Sequence, residues 1–66
     1  MSVRWQDTAK RLIDEMINRK YPMSVVNTAR GAMLLNPEKT DEIDQKVRAC
    51  QTPREVVKAM QMYYIE

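Results

Sequence analysis

The chain has no histidine, one cysteine and one glycine among its 66 residues. Each scarcity closes off a class of chemistry or of stabilisation. Without histidine, the commonest zinc ligand besides cysteine is missing. Cys50 stands alone, so no internal disulfide is possible. A nucleophilic thiol needs a base or electropositive surroundings to ionise. The helical spacing of Cys50 from Ile43 and Val47 instead makes it a small core residue. No run approaches the roughly 20 apolar residues of a membrane span, so no membrane partner is expected. The opening MSVRWQDTAK is polar, with no apolar centre, and does not read as a secretory signal. One thiol and no export signal favour a reducing, cytoplasmic location. A strong charge of one sign is also missing: eleven Lys and Arg face nine Asp and Glu, a net of +2. Such a balance implies neither nucleic acid nor membrane attraction unless the charges cluster.

What is present is helical pattern throughout and no strand alternation. The length allows one domain, residues 1–66. A domain this small buries only about 60% of the surface its unfolded chain exposes. Its stability must come from packing, from good helix ends or from association. The expected fold is all-α, a compact bundle of four short helices over about residues 3–20, 25–35, 40–50 and 53–65, with no sheet.

Trp5, Ala9, Leu12, Ile13 and Met16 recur at helical spacing in the first segment, with Ser2 as its N-cap. Tyr21-Pro22 ends it, because a residue before proline avoids the helical region. Ser24 is the expected cap of the second segment, whose Val25, Val26, Ala29, Ala32 and Met33 share one face. Leu34 and Leu35 project away from that face. Gly31 inside this helix costs about 1 kcal/mol relative to Ala, which points to close helix–helix contact or a weak last turn. Only Arg30 is charged there, so the helix is expected to sit centrally, covered on more than one side. Either Asn36 caps a preliminary turn at Pro37-Glu38 or Thr40 caps the third segment directly. Ile43, Val47 and Cys50 give that segment a thin apolar seam.

The fourth segment has the clearest start, TPRE: Thr52 as cap, Pro53 first in the helix and Glu55 closing a capping box. Val56, Val57, Ala59, Met60, Tyr63 and Tyr64 fall on one broad face, whereas Met62 and Ile65 point the other way, near Arg54 and Lys58. Asp7–Arg11, Glu15–Arg19, Glu42–Lys46 and Asp44–Arg48 are i,i+4 pairs in the favourable order.

No catalytic, cofactor-binding or metal-binding residue is assigned, and the chain does not read as an enzyme. The acidic run Asp41-Glu42-Ile43-Asp44 lacks the glycine turn and ligand spacing of a calcium loop. Its first two carboxylates complement a helix N-terminus.

Two functional classes remain in contention. Residues 1–33 carry +3 and residues 34–66 carry −1. A small DNA-binding regulator would use Arg4, Arg11, Arg19 and Arg30, although acids lie among them and Gly31 is not at a turn. Protein binding has more behind it. Once a core of Trp5, Leu12, Ile13, Met16, Val25, Val26, Met33, Ile43, Val47, Val56, Met60, Tyr63 and Tyr64 is filled, Val3, Ile17, Tyr21, Leu34, Leu35, Met62 and Ile65 are left over. Scattered exposed apolar residues are normal. A joined set marks an interface, to which Met and Tyr are well suited. The expected partner-binding residues are Leu34, Leu35, Met62 and Ile65. The partner is another protein or a second copy in a homodimer, with the protein acting as an adaptor, inhibitor or regulator. A structural piece of a larger assembly is the third class.

Overall fold

Helix ends, more than helix interiors, decide how this chain is laid out. The computed structural model describes residues 4–65, and at Arg4 the backbone only. The expected cap Ser2, the surplus residue Val3 and the Arg4 side chain lie outside the described residues. Among the described residues are four α-helices: α1 (Arg4–Asn18), α2 (Met23–Leu35), α3 (Thr40–Ala49) and α4 (Pro53–Met60). Short 3-10 turns at Pro37–Lys39 and Gln61–Tyr63 lead into α3 and continue α4. The all-α bundle is therefore the fold.

α1 ends two residues earlier than its pattern suggests. Lys20 takes the left-handed conformation at φ 63°. Its amide donates to Ile17 O at 2.9 Å, and the Tyr21 amide donates to Met16 O at 3.1 Å. This pair of bonds is the Schellman arrangement, which satisfies carbonyls orphaned at a helix end. Glycine usually fills the left-handed position, so a lysine there hides the stop signal. The turn folds Tyr21 back against the core, half-buried.

α2 begins at Met23 with Pro22 as its cap residue, so Ser24 lies inside the helix and does not cap it. The Pro22 carbonyl accepts from both Val25 and Val26 amides, and the Ser24 carbonyl accepts from the Thr28 hydroxyl at 2.8 Å. Asn36 is not a side-chain cap of the next turn either. Its amide nitrogen donates to Ala32 O and to Tyr63 O at 3.1 and 3.2 Å, tying the end of α2 to the end of the chain. Thr40 is buried rather than capping, and its hydroxyl donates to Pro37 O at 2.7 Å. At α4 the expected cap forms: Thr52 Oγ1 accepts from the Glu55 amide. Glu55 returns the contact one residue upstream of the standard box, accepting from the Gln51 amide at 2.7 Å.

α2 packs against α1, α3 and α4, and α3 likewise touches all three others, whereas α1 and α4 share little contact. The two outer helices thus flank a central α2–α3 pair. The core between them is Leu12, Met16, Val25, Val26, Ala29, Ala32, Met33, Ile43, Val47, Val56, Met60 and Tyr63. Trp5 and Ile13, expected in this core, are only half-buried; Val57 and Tyr64 are exposed. The molecule presents 4681 Å² of surface, close to the roughly 4,400 Å² expected of a closed globular chain of 7.8 kDa. Its surface is ordinary in extent; what distinguishes it is the side chains that occupy it.

Candidate protein-binding surface

Two consecutive leucines at the end of α2 open different surfaces. Met33 is fully buried, while Leu34 and Leu35 are 59% and 62% exposed. Neighbours on a helix point about 100° apart. With α2 already covered by three elements, side chains after Met33 emerge on either side of its buried stripe.

Leu34 emerges toward α1. There it joins Trp5, Ala9, Ile13 and Met33 in an apolar groove of about 330 Å³, rimmed by Gln6, Lys10, Asp14 and Arg30. Trp5, Ala9 and Ile13 supply one wall because residues four apart stack along one helix face. Trp5 and Ile13 belong to the α1 stripe that sequence assigns to the core. The stripe is wider than the surface α2 can cover, so its edge becomes groove wall. Glu15–Arg19 at 3.1 Å and Asp44–Arg48 at 2.9 Å are the ion pairs among the described residues. Lys10, Asp14 and Arg30 are in neither. The expected Asp7–Arg11 and Glu42–Lys46 pairs are not formed among these residues.

Leu35 falls on the other stripe of α2, with Thr28 and Gly31, and this stripe meets the C-terminal segment. Tyr63 is buried and its hydroxyl donates to the Glu42 carboxylate, which removes Glu42 from its expected partner Lys46. Burial first, and then the bond to Glu42, push the Tyr63 phenol above its ordinary pKa. Tyr64 lies over α2 with its hydroxyl donating to Thr28 O at 2.6 Å. A Cβ at residue 31 would collide with that hydroxyl oxygen. Gly31 is thus explained by a phenol ring seated on it, rather than by a neighbouring helix. Partial burial raises the Tyr64 pKa. Met62 and Ile65 face outward, 55% and 74% exposed.

All four residues expected to contact a partner are therefore on the surface. Leu34 belongs to the α1–α2 groove, while Met62 and Ile65 belong to the C-terminal end and Leu35 shares the stripe that end covers. Met23, Ile17, Val57 and Tyr64 add to the exposed apolar set. Met23 escaped sequence reading because Ser24 looked like the cap, which placed Met23 in a loop.

The basic residues are distributed differently. Arg11 lines a second, polar hollow of about 460 Å³ with Asp7, Glu38 and Asp41, and Trp5 lines both this hollow and the groove. Arg19 is engaged by Glu15, and Arg30 stands at the groove rim. Three carboxylates share the hollow with Arg11, and no group of Asp, Glu, Cys or His among the described residues has the arrangement to hold a metal ion. Cys50 is half-buried, its Sγ 3.1 Å from Lys46 O. Burial, reinforced by Glu55, raises its pKa and keeps the thiol protonated. No helix among the described residues is long and apolar enough to cross a membrane. Comparison with protein-family models, with curated proteins and with solved structures finds no match.

Proposed function

We propose that this protein is a non-enzymatic helical binding module that acts by burying apolar surface against another protein. The observation behind this reading is the apolar groove in which exposed Leu34 joins Trp5, Ala9 and Ile13 outside the buried core, with Leu35, Met62 and Ile65 exposed elsewhere on the surface.

Magnitudes indicate where such binding is centred. Fully burying one Leu, Ile or Met side chain is worth about 1.5–3 kcal/mol. Association costs an estimated 4–15 kcal/mol in lost translational and rotational freedom. One exposed leucine on a convex helix cannot offset that. A concave surface that receives a side chain among several apolar neighbours can, and central, desolvated anchors dominate binding energies. The α1–α2 groove has that form, with Trp5, Ile13 and Leu34 available together. The nucleic-acid alternative has less behind it, since Arg11 shares its hollow with three carboxylates and Arg19 is paired.

Pull-down from a lysate of the source organism, together with sedimentation across concentrations, tests the proposal. A specific partner or a concentration-dependent oligomer is expected. A strict monomer that captures nothing contradicts it. A salt-dependent gel shift with mixed-sequence duplex DNA checks the alternative, and no shift at low salt is expected.

A further inference from the structure

Building on the proposal that the protein works through its apolar surface, we infer that the α1–α2 groove docks an amphipathic helix of a different protein, with carboxylates flanking its apolar face. Trp5 and Ile13 of α1 and Leu34 of α2 line the groove, and its rim carries Lys10, Arg30 and a single acid, Asp14.

Three features select this occupant. The groove is bounded by two α-helices and by no strand. It therefore offers no free sheet edge for an extended strand, and recognition must go through side chains. A helix that presents anchors at i, i+3, i+4 and i+7 supplies them in register. The span from Trp5 to Ile13 is about 12 Å at 1.5 Å per residue, which matches two turns of a partner helix.

Charge then decides between a second copy and a different chain. Neither Lys10 nor Arg30 is in an ion pair among the described residues. Two grooves placed face to face would bring four cations against two carboxylates. Like charges across an interface disfavour that pairing, while carboxylates on another chain favour theirs. The complementary partner is therefore acidic at its flanks and apolar between them.

Trp5 is the only tryptophan in the chain and lines both the groove and the polar hollow, so its emission reports on either, and the L34K variant assigns a response to the groove. The probe is a designed helical peptide of about four turns, with leucines along one face and glutamates on both flanks. Its twin carries lysine at every glutamate. Titrated into the full chain, the glutamate peptide is expected to shift Trp5 emission to the blue, and the lysine twin to bind at least about tenfold more weakly. L34K is expected to abolish the shift while the circular-dichroism melt stays unchanged, because Leu34 is already exposed. The double variant K10E/R30E is expected to reverse the preference between the two peptides. R54E/K58E, on α4, is expected to change nothing, which separates groove binding from general attraction to cations.

Equal binding of both peptides would overturn the inference, as would a concentration-dependent Trp5 shift without peptide, which would mean a second copy. A shift with phosphatidylserine vesicles matching that with the glutamate peptide would overturn it in favour of a membrane surface. If Trp5 never responds but the chain still captures a partner from lysate, the groove assignment falls and the general binding reading stands. If capture fails too, both fall.

Discussion

The Tyr64 hydroxyl lies directly over Gly31, where a side-chain Cβ would collide with it, and donates to the Thr28 carbonyl at 2.6 Å. A glycine that weakens α2 thereby makes room for the end of the chain. Two opposing effects act on a substitution here. Ala is better than Gly in a helix by about 1 kcal/mol. Displacing the phenol loses one hydrogen bond, a net of about 0.5–1.5 kcal/mol. G31A is therefore expected to be nearly neutral in the natural chain and to stabilise the Y64A variant by about 1 kcal/mol. A double-mutant cycle by urea unfolding measures this coupling. The same gain in both backgrounds would mean that Tyr64 does not rest on Gly31.

Tyr63 holds the chain end from the other side. Tyr63 is a buried residue whose hydroxyl donates to Glu42, and the folded chain keeps the phenol proton above the ordinary tyrosine pKa of 10.0. Above that pH the unfolded chain releases a proton that the folded chain retains. The stability linked to Tyr63 is thus complete below pH 10 and is lost as pH rises through and beyond it. Cys50 acts with the same sign from its ordinary 9.0 upward. Thermal melts should hold steady towards pH 9 and fall at higher pH. Y63F should cost about 1 kcal/mol at neutral pH and flatten the alkaline decline. A decline equally steep in Y63F would contradict the assignment.

Met33 and Leu34 are adjacent, yet one is fully buried and the other 59% exposed. M33A is expected to cost about 2–5 kcal/mol. A domain of this length has roughly 3–10 kcal/mol in total, so M33A leaves it near unfolding. L34A should change stability by no more than about 0.5 kcal/mol. Denaturant midpoints of the two variants give the contrast, and a large loss in L34A would place Leu34 in the core.

Lys20 sits in the left-handed conformation that closes α1. K20G is expected to stabilise the chain by up to about 1 kcal/mol, the relief of Cβ crowding being partly offset by the freedom glycine adds to the unfolded chain. K20A retains the Cβ and should not gain. Equal effects of K20G and K20A would show that charge, rather than backbone conformation, matters at this position.

Periodicity revealed the helices and most of the core because burial here follows simple stripes: Leu12 and Met16, Ile43 and Val47, Val56 and Met60 each lie four residues apart and all are buried. The exposure expected of Leu34, Leu35, Met62 and Ile65 follows from the same reading, as each lies off its helix's stripe. Ends and edges were harder to read. A lysine in place of glycine masked the stop at Lys20, and Ser24 resembled a cap. Tyr64 looked core-facing because α4 was extended as an ideal helix. The backbone tightens into a 3-10 turn after Met60, and Tyr64 leaves the buried face that Tyr63 keeps. The groove was not legible at all, because Trp5 and Ile13 fit the core stripe of α1 and only the packing of α2 shows how much of the stripe stays open.

The most direct test compares the natural chain with the L34K/I65K double variant in partner capture from the source lysate, after matched melts show both folded. The natural chain is expected to give a specific captured species, or a self-associated form in sedimentation, that is lost in the variant. Equal capture by both proteins, or an inert monomer in both, would contradict it.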